Sequence, residues 1–130
     1  MHSSERAQAD DIIRRSGTDT RKCMQCGKCS GSCPAGDKMD IEPHRVVWEL
    51  INGHVEVLQK SMTPWKCLSC FTCAARCPRG VSPAALIEAV RLSVIRQSGE
   101  NGVVAEDIPA YIDEKLPQQA IVATYRKYNK

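Results

Sequence analysis

The sequence predicts an all-α domain that carries two cysteine-rich loops. Apolar residues recur at helical spacing in several segments, and no segment shows the period-two alternation of a strand. The eight cysteines form two groups with one shared spacing. The 130 residues include only one Phe, two Trp and three Tyr, so a core of side chains alone would be thin. Small domains with such a core usually gain stability from metals or disulfides.

The first predicted helices lie before and between the two cysteine groups. Residues 7–15 form a short N-terminal helix. In the linker, Pro43 suits the first turn of a helix, Asp40 or Glu42 could serve as its N-cap, and Gly53 as its C-cap. A shorter helix then leads to the second group.

The remaining helices follow the second cysteine group. Ser82 and Pro83 are typical of an N-cap and a first helical residue, and Gly99 is expected to end this helix. Its core-facing side is formed by Ile87, Val90 and Val94. A final short helix is predicted over 117–128. We therefore divide the chain into an α-helical domain, 1–99, and a C-terminal tail, 100–130, in which Asn101-Gly102 marks a turn.

Composition excludes several classes of function. A formal net charge of +3 is too mild for nucleic-acid binding. No apolar run is long enough for a membrane span. The polar start, MHSSERAQADD, has no secretory h-region. We therefore expect a cytoplasmic protein, in which clustered cysteines bind metal more often than they form disulfides.

The cysteines repeat the spacing C-x2-C-x2-C-x3-C-P. The first copy is Cys23, Cys26, Cys29, Cys33 and Pro34, and the second is Cys67, Cys70, Cys73, Cys77 and Pro78. A cubane iron–sulfur cluster needs one thiolate at each of its four iron corners, and this spacing is the bacterial 4Fe–4S run. The sequence therefore predicts two 4Fe–4S clusters.

The ligands of the two clusters are predicted to cross. In two-cluster ferredoxins the cysteine before Pro binds the other cluster. The first cluster is then held by Cys23, Cys26, Cys29 and Cys77, and the second by Cys67, Cys70, Cys73 and Cys33.

Other metal chemistry fits the pattern less well. Structural zinc prefers separate C-x2-C pairs, so a third cysteine in each run would have no use. Disulfides conflict with the expected compartment and with the crowded loops. The histidines His2, His44 and His54 are not needed as ligands and are expected at the surface or in packing. No catalytic residue is assigned.

Residues around the cysteines are expected to tune and shield the clusters. Small residues in the first loop, Gly27 and Gly31 among them, would let backbone N–H groups approach the sulfurs. The net negative charge of each site would be offset by Arg21, Lys22, Lys28, Lys66, Arg76 and Arg79, although ordinary solvation explains any one of them equally well. Cluster shielding and simple core packing are equally good explanations for Trp65, Leu68 and Phe71.

The motifs resemble a known family. CMQCGKCSGSCP and WKCLSCFTCAARCPRGV look like the two cluster loops of the heterodisulfide reductase C subunit, and PQQAIVATYRKY resembles the ending of those proteins. The similarity runs from about Arg21 to the C-terminus. It implies an α-helical ferredoxin-like fold, because the helical linker is longer than in compact bacterial ferredoxins.

The resemblance also implies partners. Members of that family work with a catalytic B subunit, whose CCG motifs perform the disulfide chemistry, and with a flavin-containing A subunit. This sequence contains no CCG, so it is expected to relay electrons in a soluble heterodisulfide-reductase-like complex and to dock through the tail. The alternatives are a free-standing two-cluster ferredoxin and, less well supported, an iron–sulfur sensor module.

Overall fold

The computed structural model of the chain describes residues 2–96, 110 and 113–128. Every regular element in these ranges is helical, so the predicted all-α class is confirmed. The α-helices are α1 (His2–Ser16), α2 (Lys28–Gly31), α3 (Pro43–Ile51), α4 (Val55–Lys60), α5 (Thr63–Lys66), α6 (Thr72–Arg76), α7 (Pro83–Ile95) and α8 (Gln118–Tyr128). Two 3₁₀ turns lie at Thr20–Lys22 and Gly36–Lys38.

The chain divides into two compact units, Met1–Ile95 and Arg96–Lys130. The first unit contains α1 to α7 and both cysteine loops, and the second contains α8. The predicted boundary after residue 99, the helix end at Gly99 and the turn at Asn101-Gly102 lie outside the described residues. The division 1–99 and 100–130 therefore stays a prediction.

The core of the first unit is formed where α1, α3, α4 and α7 pack together. Its fully buried side chains include Ile12, Val46, Val47, Leu50, Val55, Leu58, Leu86, Ile87 and Val90. Burying each such side chain contributes roughly 1.5–3 kcal/mol relative to exposure. Ile87 and Val90 lie in this core as the helical spacing predicts, whereas Val94 is only partly buried.

Helix α3 ends in a hydrogen-bonded cap at Gly53, as predicted. The Gly53 N–H donates to the Leu50 carbonyl at 3.1 Å, and the His54 N–H donates to the Glu49 carbonyl at 2.9 Å. This pattern needs a left-handed residue, and Gly53 has φ +80°. Arg6 of α1 donates to the Ile51 carbonyl at 2.7 Å, which fixes the N-terminal helix against this end.

The start of α3 differs from the prediction. Pro43 is its first residue, but Glu42 occupies the N-cap position without capping through its side chain. Asp40 does not cap the helix either, because its carboxylate accepts hydrogen bonds from Met62 and Thr63. It therefore joins the linker to the segment before the second cysteine group.

Helix α7 begins as predicted. The Ser82 hydroxyl accepts a hydrogen bond from the Ala85 N–H at 3.3 Å, and Pro83 is the first helical residue. The Ser82 N–H donates to Thr18 Oγ1 at 3.0 Å, which connects this start to the segment after α1. No helix among the described residues is long and apolar enough to cross a membrane.

Candidate iron–sulfur site

The two cysteine loops share one backbone conformation. Gln25 and Ser69 occupy the same place in the two motifs, and their φ angles are +54° and +53°. Two positions later, Gly27 and Phe71 have φ angles of +77° and +57°. Left-handed conformations are uncommon outside glycine, so their recurrence at matched positions means that the sequence repeat is also a structural repeat. Helices α2 and α6 follow these loops.

One cleft brings together four thiols from both motifs. It is lined by Cys23, Cys26 and Cys29 from the first motif and by Cys77 from the second. Cys77 directly follows α6, the Gly80 N–H donates to its carbonyl at 3.4 Å, and Val81 after this turn also lines the cleft. The four cysteines are those that the sequence predicts for the first cluster.

A second cleft has the reciprocal arrangement. It is lined by Cys67, Cys70 and Cys73 from the second motif and by Cys33 from the first. Leu68 from the second loop also lines it. The two clefts thus exchange their fourth cysteine.

The chemistry of these donor sets fits a cubane cluster. Each cleft offers four sulfurs, one for each iron corner. No three His, Cys, Asp or Glu side chains within the described ranges are close enough to hold a single metal ion. The assignment of individual ligands stays a proposal.

The thiols differ in environment. Burial raises the pKa of Cys29, and a hydrogen bond from Ser30 opposes that effect. Burial likewise raises the pKa of Cys73. Cys70 is exposed, and a hydrogen bond from the Thr72 hydroxyl, 3.3 Å away, lowers its pKa. A bound metal ion would therefore have the largest effect of burial to offset at these two inner cysteines.

The sulfurs accept hydrogen bonds from the small-residue segment of the first loop, where Ser30 donates to Cys29, and also from residues that the sequence pattern did not single out. Gln25 Nε2 donates to Cys23 Sγ at 3.2 Å, and the Val81 N–H donates to Cys77 Sγ at 3.3 Å. The Ser30 backbone N–H, which lies between Gly27 and Gly31, also hydrogen-bonds to the Cys29 sulfur, in the segment where the sequence predicts such donors. In the sequence, Gln25 could have been identified as a sulfur donor because it has a long amide side chain between two cysteines of a C-x2-C pair.

His44 has a packing role, as predicted, and it lies beside the first cleft. Its Nδ1 is 2.6 Å from Ser30 Oγ, and its backbone N–H donates to the same hydroxyl at 3.1 Å. The residue lines the first cleft. It therefore fixes α2 to the start of α3. His54, in contrast, lies away from both clefts with its Nδ1 2.7 Å from Glu49 Oε2.

The predicted shielding residues are not core residues. Leu68 is 68% exposed, Trp65 46% and Phe71 42%. Leu68 and Phe71 line the second cleft, whereas Trp65 does not. Core packing is therefore wrong for all three, and cluster shielding stays a prediction for Leu68 and Phe71.

Only part of the predicted basic set surrounds a cleft. Lys28 and Arg79 line the first cleft. Arg21 instead pairs with Asp19, with Nε 3.0 Å from Oδ1. For Lys22, Lys66 and Arg76, placement beside a cluster stays a prediction.

Arg91 of α7 anchors the start of the second loop. Its guanidinium donates to the Pro64 carbonyl at 2.7 Å through Nε and to the Cys67 carbonyl at 3.0 Å through Nη2. These bonds fix the backbone of the first cysteine in that loop. The sequence offered no signal for this role, because the arginine lies 24 residues from Cys67.

Comparison with known proteins finds a matching family model and several similar subunits. Residues 22–82 match the family model of a 4Fe–4S dicluster domain. Over 92 residues, the chain is 32% identical to the C subunit of the ferredoxin:CoB-CoM heterodisulfide reductase of Methanosarcina acetivorans, covering 71% of this chain and 35% of that protein. The same-named protein of Methanosarcina mazei is 37% identical over 84 residues, or 64% of this chain and 52% of that one.

A third relative comes from another methanogen genus. The iron-sulfur C subunit of the CoB–CoM heterodisulfide reductase of Methanopyrus kandleri is 41% identical over 69 residues, covering 53% of this chain and 36% of that protein. The chain thus spans about half or less of the length of these relatives. The similarity supports an iron–sulfur electron-transfer role and does not extend to the activity of the whole complexes.

Proposed function

We propose that this chain is the electron-transfer component of a heterodisulfide-reductase-like complex. The premise is that residues 22–82 carry a 4Fe–4S dicluster domain and that the chain is similar to the heterodisulfide reductase C subunit. It would relay electrons through two 4Fe–4S clusters to or from a catalytic subunit with CCG motifs. A flavin-containing subunit would belong to the same complex.

One observation carries this proposal. Each cleft combines three cysteines of one motif with the fourth cysteine of the other. Two complete four-thiol sites are thereby formed with all eight cysteines. When bound there, a 4Fe–4S cluster supplies reversible one-electron redox chemistry.

The surroundings of the thiols suit transfer to another protein. Met24 beside the first cleft is 51% exposed, and Leu68 beside the second is 68% exposed. Exposed apolar side chains next to a redox site provide contact area that a partner would bury. Both clefts therefore have an apolar residue at the surface through which a partner could approach.

Metal analysis tests the cluster part of the proposal. Anaerobically purified protein should be brown and contain about eight irons per chain, because each of two cubanes holds four. The chain with all four cysteines of the second motif changed to serine is the control and should lose most of this iron. Colourless wild-type protein with stoichiometric zinc would contradict the proposal.

Deletion of the tail tests membership in a complex. We expect removal of residues 117–130 to abolish co-purification with a CCG-containing subunit while the iron content is unchanged. The described residues of α8 include the exposed side chains of Gln118, Gln119 and Val122, which are available for contact. If the shortened chain still binds the partner, docking does not occur through this segment. If the full chain binds no partner, the free-standing ferredoxin is favoured.

A further inference from the structure

Gln25 connects a cluster-binding cysteine to the backbone of α3. Its Nε2 donates to Cys23 Sγ at 3.2 Å and to the His44 carbonyl at 3.0 Å. A primary amide has two N–H groups, which is sufficient for both bonds. The side chain therefore spans from the first cleft, which it lines, to the second residue of the helix.

The chemistry of the two acceptors fixes the orientation of the amide. A carbonyl oxygen only accepts hydrogen bonds, and a thiolate that binds iron has no proton to donate. Rotating the amide by 180° would place its oxygen against two acceptors. Only the orientation with the NH₂ group toward Cys23 and His44 satisfies both contacts.

The matched residue in the second motif has no such contact. Ser69 has the same left-handed backbone as Gln25, so the loop geometry requires this conformation at both places. Within the described part of the chain, the short Ser69 side chain donates to no cysteine sulfur. The second loop instead has the 3.3 Å contact of Thr72 with Cys70. The glutamine contact is therefore a property of one site and not of the repeated fold.

We propose that Gln25 raises the reduction potential of the first cluster by donating a hydrogen bond to the thiolate of Cys23. Reduction adds one negative charge to a site that is already an anion, and a donor at sulfur stabilises the reduced form more than the oxidised form. The bond to His44 holds the donor in place, so little of its effect is lost to motion. This inference rests on the proposed cluster ligands.

A purely structural role for Gln25 predicts different behaviour. If the side chain only held the loop to α3, its removal would lower thermal stability or iron content and leave the potentials of intact sites unchanged. A tuning role predicts a shift in one potential while both sites keep their iron. The two roles therefore separate in a redox titration.

The test compares matched variants of the full chain with clusters bound. Gln25→Met removes the donor and keeps the approximate length, and Gln25→Glu removes it and adds a negative charge. Ser69→Ala is the control at the same position of the other motif. Iron is measured first, and the midpoint potentials are then determined by titration with dithionite, followed by electron paramagnetic resonance.

We expect Gln25→Met to lower one of the two potentials by about 59 mV, which is tenfold in the equilibrium constant of a one-electron couple. Gln25→Glu should lower the same potential further, and Ser69→Ala should change neither. Eight irons with both potentials unmoved, or with both shifted equally, would overturn the inference alone. Wild-type protein without two clusters would overturn the proposed function and this inference with it.

Discussion

Cys29 and Cys73 share a small buried cluster with Ala84, although they belong to different motifs. Each is the third cysteine of its run, and each lines a different cleft. The two four-thiol sites therefore approach one another at these inner cysteines. The methyl side chain of Ala84 on α7 leaves room for this contact.

Enlarging Ala84 should disturb both sites together. Ala84 is 1% exposed, so Ala84→Leu would overpack the contact and lower the free energy of unfolding of the cluster-loaded protein by about 1–3 kcal/mol. Anaerobic denaturant titration and iron analysis measure the effect. Ala85→Leu, one residue along the same helix at a less buried position, is the control and should cost less. Equal effects of the two changes would contradict the importance of this contact.

Single serine substitutions should reveal the crossed ligands. Because Cys33 lines the second cleft, Cys33→Ser should damage the cluster of Cys67, Cys70 and Cys73. Cys77→Ser should damage the other cluster, since Cys77 lines the first cleft. Electron paramagnetic resonance of each reduced variant distinguishes the remaining cluster. Loss of the cluster held by its own motif would show that the ligands do not cross.

The carboxylate of Asp40 should stabilise the fold across the neutral range. Burial alone would raise its pKa, but hydrogen bonds from the Met62 N–H and the Thr63 side chain outweigh that effect and lower it from 3.8. A lowered pKa stabilises the fold fully above the unfolded value, and this contribution is lost as the pH falls through the folded value.

Asp40→Asn tests this role. The NH₂ group of the asparagine would face either the Met62 N–H or the Thr63 donors, and two donors cannot hydrogen-bond to each other. We therefore expect the free energy of unfolding to fall by roughly 1–2 kcal/mol. The loss should be the same from about pH 6 to pH 8, since the carboxylate stays ionised throughout that range. Asp37→Asn is the control, because Asp37 lies in the same linker and the hydrogen bonds from Met62 and Thr63 go to Asp40. A loss that changes strongly within this interval would contradict the assignment.

Arg91 should be needed for the second cleft more than for the first. Arg91→Met removes the hydrogen bonds to the Pro64 and Cys67 carbonyls. We expect the free energy of unfolding to fall by about 1.5–3 kcal/mol, because these are hydrogen bonds from a charged donor. Iron should also be lost faster from the second site. Iron release to a chelator, followed by spectroscopy, measures both sites. Arg96→Met, at an exposed position, should release iron as the wild type does.

The helices were largely predictable because their signals are local. Ser82, Pro83 and Gly53 act through hydrogen bonds and backbone angles within a few residues, and the structure has them in the predicted roles. The exception at the start of α3 has a clear reason. The carboxylate of Asp40 could have accepted hydrogen bonds from the first backbone N–H groups of α3. It accepts them instead from Met62 and Thr63, which lie 22 and 23 residues away.

The site residues likewise divide into those that a local pattern identifies and those that depend on tertiary contacts. The spacing of the cysteines by itself determined which thiols could serve a cluster, since consecutive cysteines must share one loop. Only the tertiary structure decided which distant groups reach them: Gln25 against His44, Arg91 against Cys67, and Cys29 beside Cys73. Such contacts depend on how separate helices pack, and packing is a property of the whole fold that no local pattern contains.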